Sequence, residues 1–232
     1  MLPELILERA QALGLHILAI TDHNSAENVA AVLHAAQDTG VTVLPGMELQ
    51  TREEVHLLTL FDTPEQALEW QEQVYASLPP LSNDAAFFGE QILLDEQGEP
   101  LGTLDRLLVA SSALSLDEAV GRVTALGGLC IPAHVDRPVF SVISNLGFIP
   151  PDLPLEGAEI SPNVGPLEAR QRFPGLARYG LVAGGDAHRL GEISRRTTLK
   201  VAEPTVAEVG MALAGREGRE VWVDGICTTR CG

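Results

Sequence analysis

Apolar and polar positions follow two different periods along this chain. Short runs rich in β-branched residues read as buried strands: HILAI (16–20), VTVLP (41–45), VHLLTLF (55–61), GLCIPA (128–133), GAEIS (157–161) and GLVAGG (180–185). Between several of them lie stretches of helical period: PELILERAQAL (3–13), AENVAAVLHAAQDT (26–39), PEQALEWQEQVYASL (64–78), LDEAVGRVTAL (116–126) and TVAEVGMALAG (205–215). Their starts carry Pro, Ser, Thr or Asp with early acids, and Gly40, Gly127 and Gly215 fall where a helix C-cap is wanted. Such alternation predicts βα units around a parallel sheet, open or closed into a barrel. The rhythm breaks between 79 and 115, where QILLDEQGEPLG (91–102) reads as a hairpin or extended excursion around Gln97-Gly98 and as a candidate lid. A second irregular passage is PVFSVISNLGFIPPDLP (138–154).

In parallel α/β folds the site lies at the carboxyl ends of the strands, and there the pattern turns polar. Asp22, His23 and Asn24 end the first run, Glu48 follows the second in PGMEL, and His134 ends CIPAH. Asp186 and His188 close AGGDAH, two apart, so an extended backbone points both to one face. Gly184 and Gly185 before them allow a close backbone approach. His56 lies early in its strand and fits less directly. Each group also has a structural reading, since Asp and Asn are ordinary turn residues and Ser25 is placed to cap the following helix. Together they predict a metal site, because neutral imidazole and carboxylate suit zinc, manganese or iron and a carboxylate can bridge two ions. Such a centre binds a phosphate ester and generates hydroxide near neutral pH. The remaining histidines, His16 and His34, read as structural or surface residues.

Composition narrows the picture. The 232 residues fit one domain, 1–232, and a hydrophobic content of 45% supplies a substantial core. A net charge of −17, from 32 acidic and 15 basic residues, argues against general nucleic-acid or anionic-membrane binding. It leaves room for a small phosphorylated substrate, because bound divalent cations reverse the local field. The absence of an apolar run near 18 residues, of a basic signal-type N-terminus and of a disulfide framework among Cys130, Cys227 and Cys231 makes a cytoplasmic protein the expectation. Cys227 and Cys231 form a lone C-x-x-x-C, a weak zinc signal.

In order and spacing, ITDHN (20–24), PGMEL (45–49), EVHLL (54–58), IPAHVDRP (131–138) and GGDAH (184–188) resemble the PHP (polymerase and histidinol phosphatase) family of metal-dependent phosphoesterases. The resemblance implies a distorted (β/α)7 barrel with a centre of up to three metals, usually zinc, manganese or iron. It casts Glu48 as the bridging carboxylate sharing one metal with His56 and His134, Asp186 as a ligand of a second, and His23 with His188 as ligands of a third. Asp22 becomes an orienting or proton-relaying group. Family members begin with a strand ending in D-x-H-x-H, and no such motif precedes Met1, so the barrel is expected to lack its first strand and the centre to hold fewer metals.

Around the motifs, Arg137 is placed to meet a substrate phosphate or to pair with Asp136 or another acid. Asn24 is a second substrate-binding candidate, and Glu159 and Asn163 end another strand. Arg195 and Arg196 either steer an anion or sit on a solvated turn. The leading expectation is a phosphoesterase acting on a small phosphomonoester or nucleotide through metal-bound hydroxide. The alternatives are a catalytically impaired metal-binding or regulatory module and a metal-dependent amidohydrolase. A serine hydrolase and a P-loop enzyme are disfavoured, since neither G-x-S-x-G nor a Walker sequence occurs.

Overall fold

The computed structural model describes residues 1–95 and 97–230. Its strands are β1 (Ile17–Ile20), β2 (Thr42–Gln50), β3 (His56–Leu60), β4 (Ile92–Leu94), β5 (Pro100–Thr103), β6 (Leu129–Pro132), β7 (Gly157–Ile160), β8 (Gly180–Ala183), β9 (Thr197–Lys200), β10 (Glu220–Val223) and β11 (Ile226–Cys227). The fold is mixed α/β. A central sheet runs β1-β2-β3-β6, with β1 parallel to β2 and β3 antiparallel to both β2 and β6. A parallel pair β7-β8, an antiparallel sheet β11-β10-β9 and the hairpin β4-β5 complete it.

No closed barrel is seen among the described residues, whose strands form separate sheets, and the expected parallel order is corrected at β2 and β3, which run antiparallel. The reason is local. Only residues 51–55 join β2 to β3, whereas a parallel crossover needs a dozen or more. PGMEL therefore extends β2 to Gln50, and the chain turns straight back as a hairpin.

The central sheet has two unlike faces. Met47, Leu49 and Leu57 point toward the main core, where they meet the helices Pro64–Ser77 and Leu116–Ala125 through Trp70, Val74, Val120 and Val123. Both helices begin with a reciprocal capping box, Thr63 with Gln66 and Ser115 with Glu118. Leu44, Leu58, Leu60 and Ile131 lie on the opposite face, against Val209 and Leu213 of the helix Val206–Ala214. Strand periodicity carries that second face from Leu44 through Gly46 to Glu48, so one stripe turns from apolar to ionisable along a single strand. Gly46 has no substitute there, because a Cβ would lie 2.5 Å from the Thr59 carbonyl.

The excursion between 79 and 115 contains the hairpin β4-β5, and two asparagines hold it to the β1 end. Asn28 Nδ2 donates to the Ile92 carbonyl at 3.1 Å and its Oδ1 accepts the Leu94 amide at 3.0 Å; Asn24 holds the turn at Leu108 and Ala110. Ser25 does not cap the next helix: that helix starts at Val29 after Asn28, and the Ser25 hydroxyl meets Tyr75 at 3.0 Å. No helix among the described residues is long and apolar enough to cross a membrane. Cys130 is buried and unbonded, Cys227 is exposed, and Cys231 lies outside the described residues.

Candidate metal centre

Glu48 is the hub. Its Oε1 lies 2.7 Å from His56 Nδ1 and 3.1 Å from His134 Nε2, and those two nitrogens are 3.3 Å apart. His23 Nδ1 stands 3.8 Å from Glu48 Oε2. The register explains the convergence. His56 is paired with Gln50, one step along the same face from Glu48, and the Ala133 amide bonds the His56 carbonyl, delivering His134 from the end of β6. His23 and Glu48 form a parallel bridge just past β1. Four donors thus come from the ends of β1, β2, β3 and β6.

These distances suit a cation. Donors about 2.1 Å from a tetrahedral ion are separated by roughly 3.4 Å; Glu48 Oε1, His56 Nδ1 and His134 Nε2 lie 2.7 to 3.3 Å apart, and His23 Nδ1 is 3.8 Å from the other Glu48 oxygen. His23 Nδ1 is buried without a hydrogen-bond partner, an orphan that a positive ion would satisfy. His23, Glu48 and His56 likewise offer ligand atoms that all lie within 4.8 Å of one another. The electrostatics agree. Burial alone would raise the Glu48 carboxyl, but hydrogen bonds from His134 and His56 outweigh it and hold the group well below the usual carboxylate range. Burial lowers His23 against the opposing pull of Glu48 and keeps its imidazole neutral, the form that ligates metals.

Backbone strain collects at the same place. His134, Asp186, Asn24 and Phe140 all have positive φ, at 31°, 42°, 50° and 55°, conformations held only where surroundings over-determine them. Phe140 stacks on the His56 ring with centroids 4.9 Å apart and accepts the His56 amide on its carbonyl. Nothing in the sequence flags it, since it is one aromatic in an irregular passage. Glu159 backs the site from β7: its Oε2 accepts the His134 amide at 3.1 Å, and burial pushes its carboxyl up to about 7. Gly184 must remain a glycine beside it, because a Cβ would fall 1.9 Å from Glu159 Oε1.

Asp186 and His188 stand at the rim rather than in the cluster. The His188 ring is 6.1 Å from that of His23, its Nδ1 is 2.9 Å from the Asp186 carbonyl, and its side chain is 64% exposed. Arg137 pairs not with Asp136 but with Asp186, Nη1 to Oδ2 at 2.5 Å; Asp136 instead accepts the Ser161 amide and hydroxyl. Asp22 borders the cavity, its carboxylate 3.5 Å from the Asn28 amide and its carbonyl bonded by Glu48 N–H. That cavity, about 630 Å³, runs from His23 and Glu48 down between β1 and β8 to Leu44 and Leu199.

Two expectations need correction. Asn24 is not available to a substrate: it is 0% exposed, its Nδ2 donates to the Leu108 and Ala110 carbonyls at 2.7 and 2.9 Å, and its Oδ1 accepts the Gln50 amide. Arg196 is no steering charge, being locked to Asp224 and to the Ser161 and Val164 carbonyls. Arg195 and Asn163 are exposed, as are His16 and His34. Replacing Asn24 by alanine is expected to lower unfolding stability by about 2 kcal/mol, since buried partners lose their bonds; equal urea midpoints for the two proteins would refute that bracing role.

The PHP domain profile matches residues 1–124, more than half the chain, and the chain belongs to the PHP domain family. No curated protein matches it in sequence. The fold is similar to that of the lesion-specific endonuclease EndoQ from Pyrococcus furiosus, with a TM-score of 0.65 at 19% identity over 94% of this chain and 52% of that one. It is also similar to a proposed metal-dependent phosphoesterase from Bifidobacterium adolescentis (TM-score 0.56, 18% identity, 82% and 83% covered). An Endonuclease Q complex with a 27-mer duplex bearing an abasic lesion at the active site gives a TM-score of 0.60 at 19% identity over 93% of this chain and 52% of the other. The chain therefore spans about half the length of the endonucleases it matches. This overturns the expectation of a small phosphorylated substrate without general nucleic-acid binding, which was drawn from acidic net charge: Endonuclease Q, a protein of similar fold, is seen in complex with a DNA duplex. Whole-chain charge says little about the field at a cleft that binds cations.

Proposed function

We propose that this chain is a metal-dependent phosphoester hydrolase whose cation is held by His23, Glu48, His56 and His134. One observation carries the reading: three imidazoles from three strand ends converge on the Glu48 carboxylate at a fourth, and the His23 Nδ1 among them is buried and unpartnered. A divalent cation such as zinc or manganese held there supplies Lewis acidity toward a phosphoryl oxygen and toward water. The chain's own residues do the rest. Glu48 stays ionised and keeps His56 and His134 aimed at one point, while Glu159 fixes the strained His134 backbone from behind. Arg137 spends one nitrogen on Asp186 and retains further N–H donors for a phosphate oxygen. His188 directs Nδ1 at the Asp186 carbonyl, which leaves Nε2 to exchange a proton with the substrate. Phe140 covers one side of His56 against water. The excursion held by Asn24 and Asn28 sits beside Asp22 and His23, which supports a covering role for it.

The test is a substrate panel with chelated and metal-loaded protein: an aryl phosphomonoester, an aryl phosphodiester, an abasic-site DNA duplex and an aryl amide. The reading expects hydrolysis of at least one phosphoester, lost with chelator and restored by Mn²⁺ or Zn²⁺. Faster turnover of the amide would instead make the site an amidohydrolase.

A further inference from the structure

We propose that this centre holds a single divalent cation, and that the Arg137 guanidinium occupies the place of any further cation at Asp186. The proposal rests on the metal-centre reading above and departs from the multi-metal arrangement that the family resemblance implies.

Three observations support it. The Asp186 carboxylate is already neutralised, with Oδ2 at 2.5 Å from Arg137 Nη1. That arginine is built in rather than swept in from solvent. Its amide donates to the His134 carbonyl at 2.9 Å, and its own carbonyl accepts the Ser141 hydroxyl at 2.8 Å, so its backbone is tied to a residue of the four-donor cluster. The other group a second cation would need, His188, points its Nδ1 to the Asp186 carbonyl at 2.9 Å and keeps its ring 6.1 Å from His23. Among the described residues, Asp186 and His188 join no group of three metal-type side chains with ligand atoms within 4.8 Å of one another.

Charge decides which arrangement wins. One dication with Glu48, Asp186 and Arg137 leaves the centre near one positive charge. A second would bring two dications together while also displacing a guanidinium from the carboxylate it pairs with. Like charges a few ångströms apart repel by several kcal/mol even at an effective dielectric near 20, and the other two carboxylates lining the cavity are both engaged: Asp22 faces the Asn28 side-chain amide at 3.5 Å. Glu159 is engaged behind His134, and its carboxylate packs against Gly184.

Metal counting tests the proposal without recourse to turnover. The chelator-stripped 232-residue chain is titrated with Mn²⁺ and with Zn²⁺ by calorimetry, and the bound metal is counted by elemental analysis after dialysis. The wild type is expected to bind one equivalent. Asp186→Asn is expected to keep that equivalent with an affinity within threefold, and Arg137→Met to gain a second, weaker one. His56→Ala is expected to lose the first. Two or more equivalents in the wild type, loss of the equivalent in Asp186→Asn, or a count still at one in folded Arg137→Met would each overturn the proposal. Should Arg137→Met fail to fold by circular dichroism, the wild-type and Asp186→Asn counts decide it alone. One equivalent without phosphoester hydrolysis would sink the proposed activity and leave the single site standing. No bound metal would sink both.

Discussion

Replacing Glu48 by glutamine is expected to abolish tight divalent-cation binding and to lower phosphoester hydrolysis by roughly a thousandfold. The size follows from what is lost: a metal ion contributes several kcal/mol of transition-state charge stabilisation, and each 1.4 kcal/mol is about a tenfold change in rate. Glutamine preserves the shape of the hub but not its charge. His56 and His134, 2.7 and 3.1 Å from one Glu48 oxygen, would then face a neutral amide that has no charge to attract a cation. The fold should survive, since the amide oxygen can still accept hydrogen bonds from both imidazoles. Glu54→Gln, on the exposed turn between β2 and β3, serves as the control and is expected to change neither binding nor rate. Near wild-type affinity in Glu48→Gln would mean that the cation sits elsewhere.

The second large effect concerns Glu159 and pH. Burial raises its carboxyl from the ordinary 4.5 to about 7 in the folded chain. A raised folded pKa contributes stability that is fully present below the unfolded value and is lost as pH rises through the folded one. Ionising this carboxyl inside the protein therefore lowers stability between about pH 4.5 and 7, by an amount on the order of 3 kcal/mol. Glu159→Gln removes the titration while keeping an oxygen to accept the His134 amide. Wild type and variant should have similar unfolding free energies at pH 5, and the variant should be the more stable at pH 8. His23, whose lowered pKa tilts the curve the other way as pH falls, is present in both proteins and cancels in the difference. Parallel stability curves for the two proteins across this range would contradict the assignment.

Much of the site was legible in the sequence because metal-type residues are costly to place at strand ends without a purpose. His23, Glu48, His56 and His134 could each be named from their motifs, and the structure brings those four together. His56 looked misplaced near the start of a strand only because the strand was taken as parallel. In a hairpin, an early β3 residue lies beside a late β2 residue, and the pairing of His56 with Gln50 removes the difficulty. What the sequence hid is what depends on tertiary partners. Asn24 resembled a ligand-binding amide, yet its bonds go to Leu108 and Ala110, more than eighty positions away. Arg137 could be foreseen as pairing with an acid, but not that the acid would be Asp186. The sheet formed by β9, β10 and β11 went unseen because its strands are short and carry little alternation, and its place depends on contacts such as the Leu181 amide with the Thr228 carbonyl. Charge misled for a different reason: a total of −17 describes the whole surface, while substrate choice is decided at the cleft.

Anomalous diffraction from crystals grown with Mn²⁺ or Zn²⁺ tests the central claim most directly. The account predicts a dominant peak about 2.0–2.3 Å from Glu48 and from imidazole nitrogens of His23, His56 and His134, distances set by the metal and its donors. A peak bound by Asp186 and His188 with that cluster left empty would contradict it.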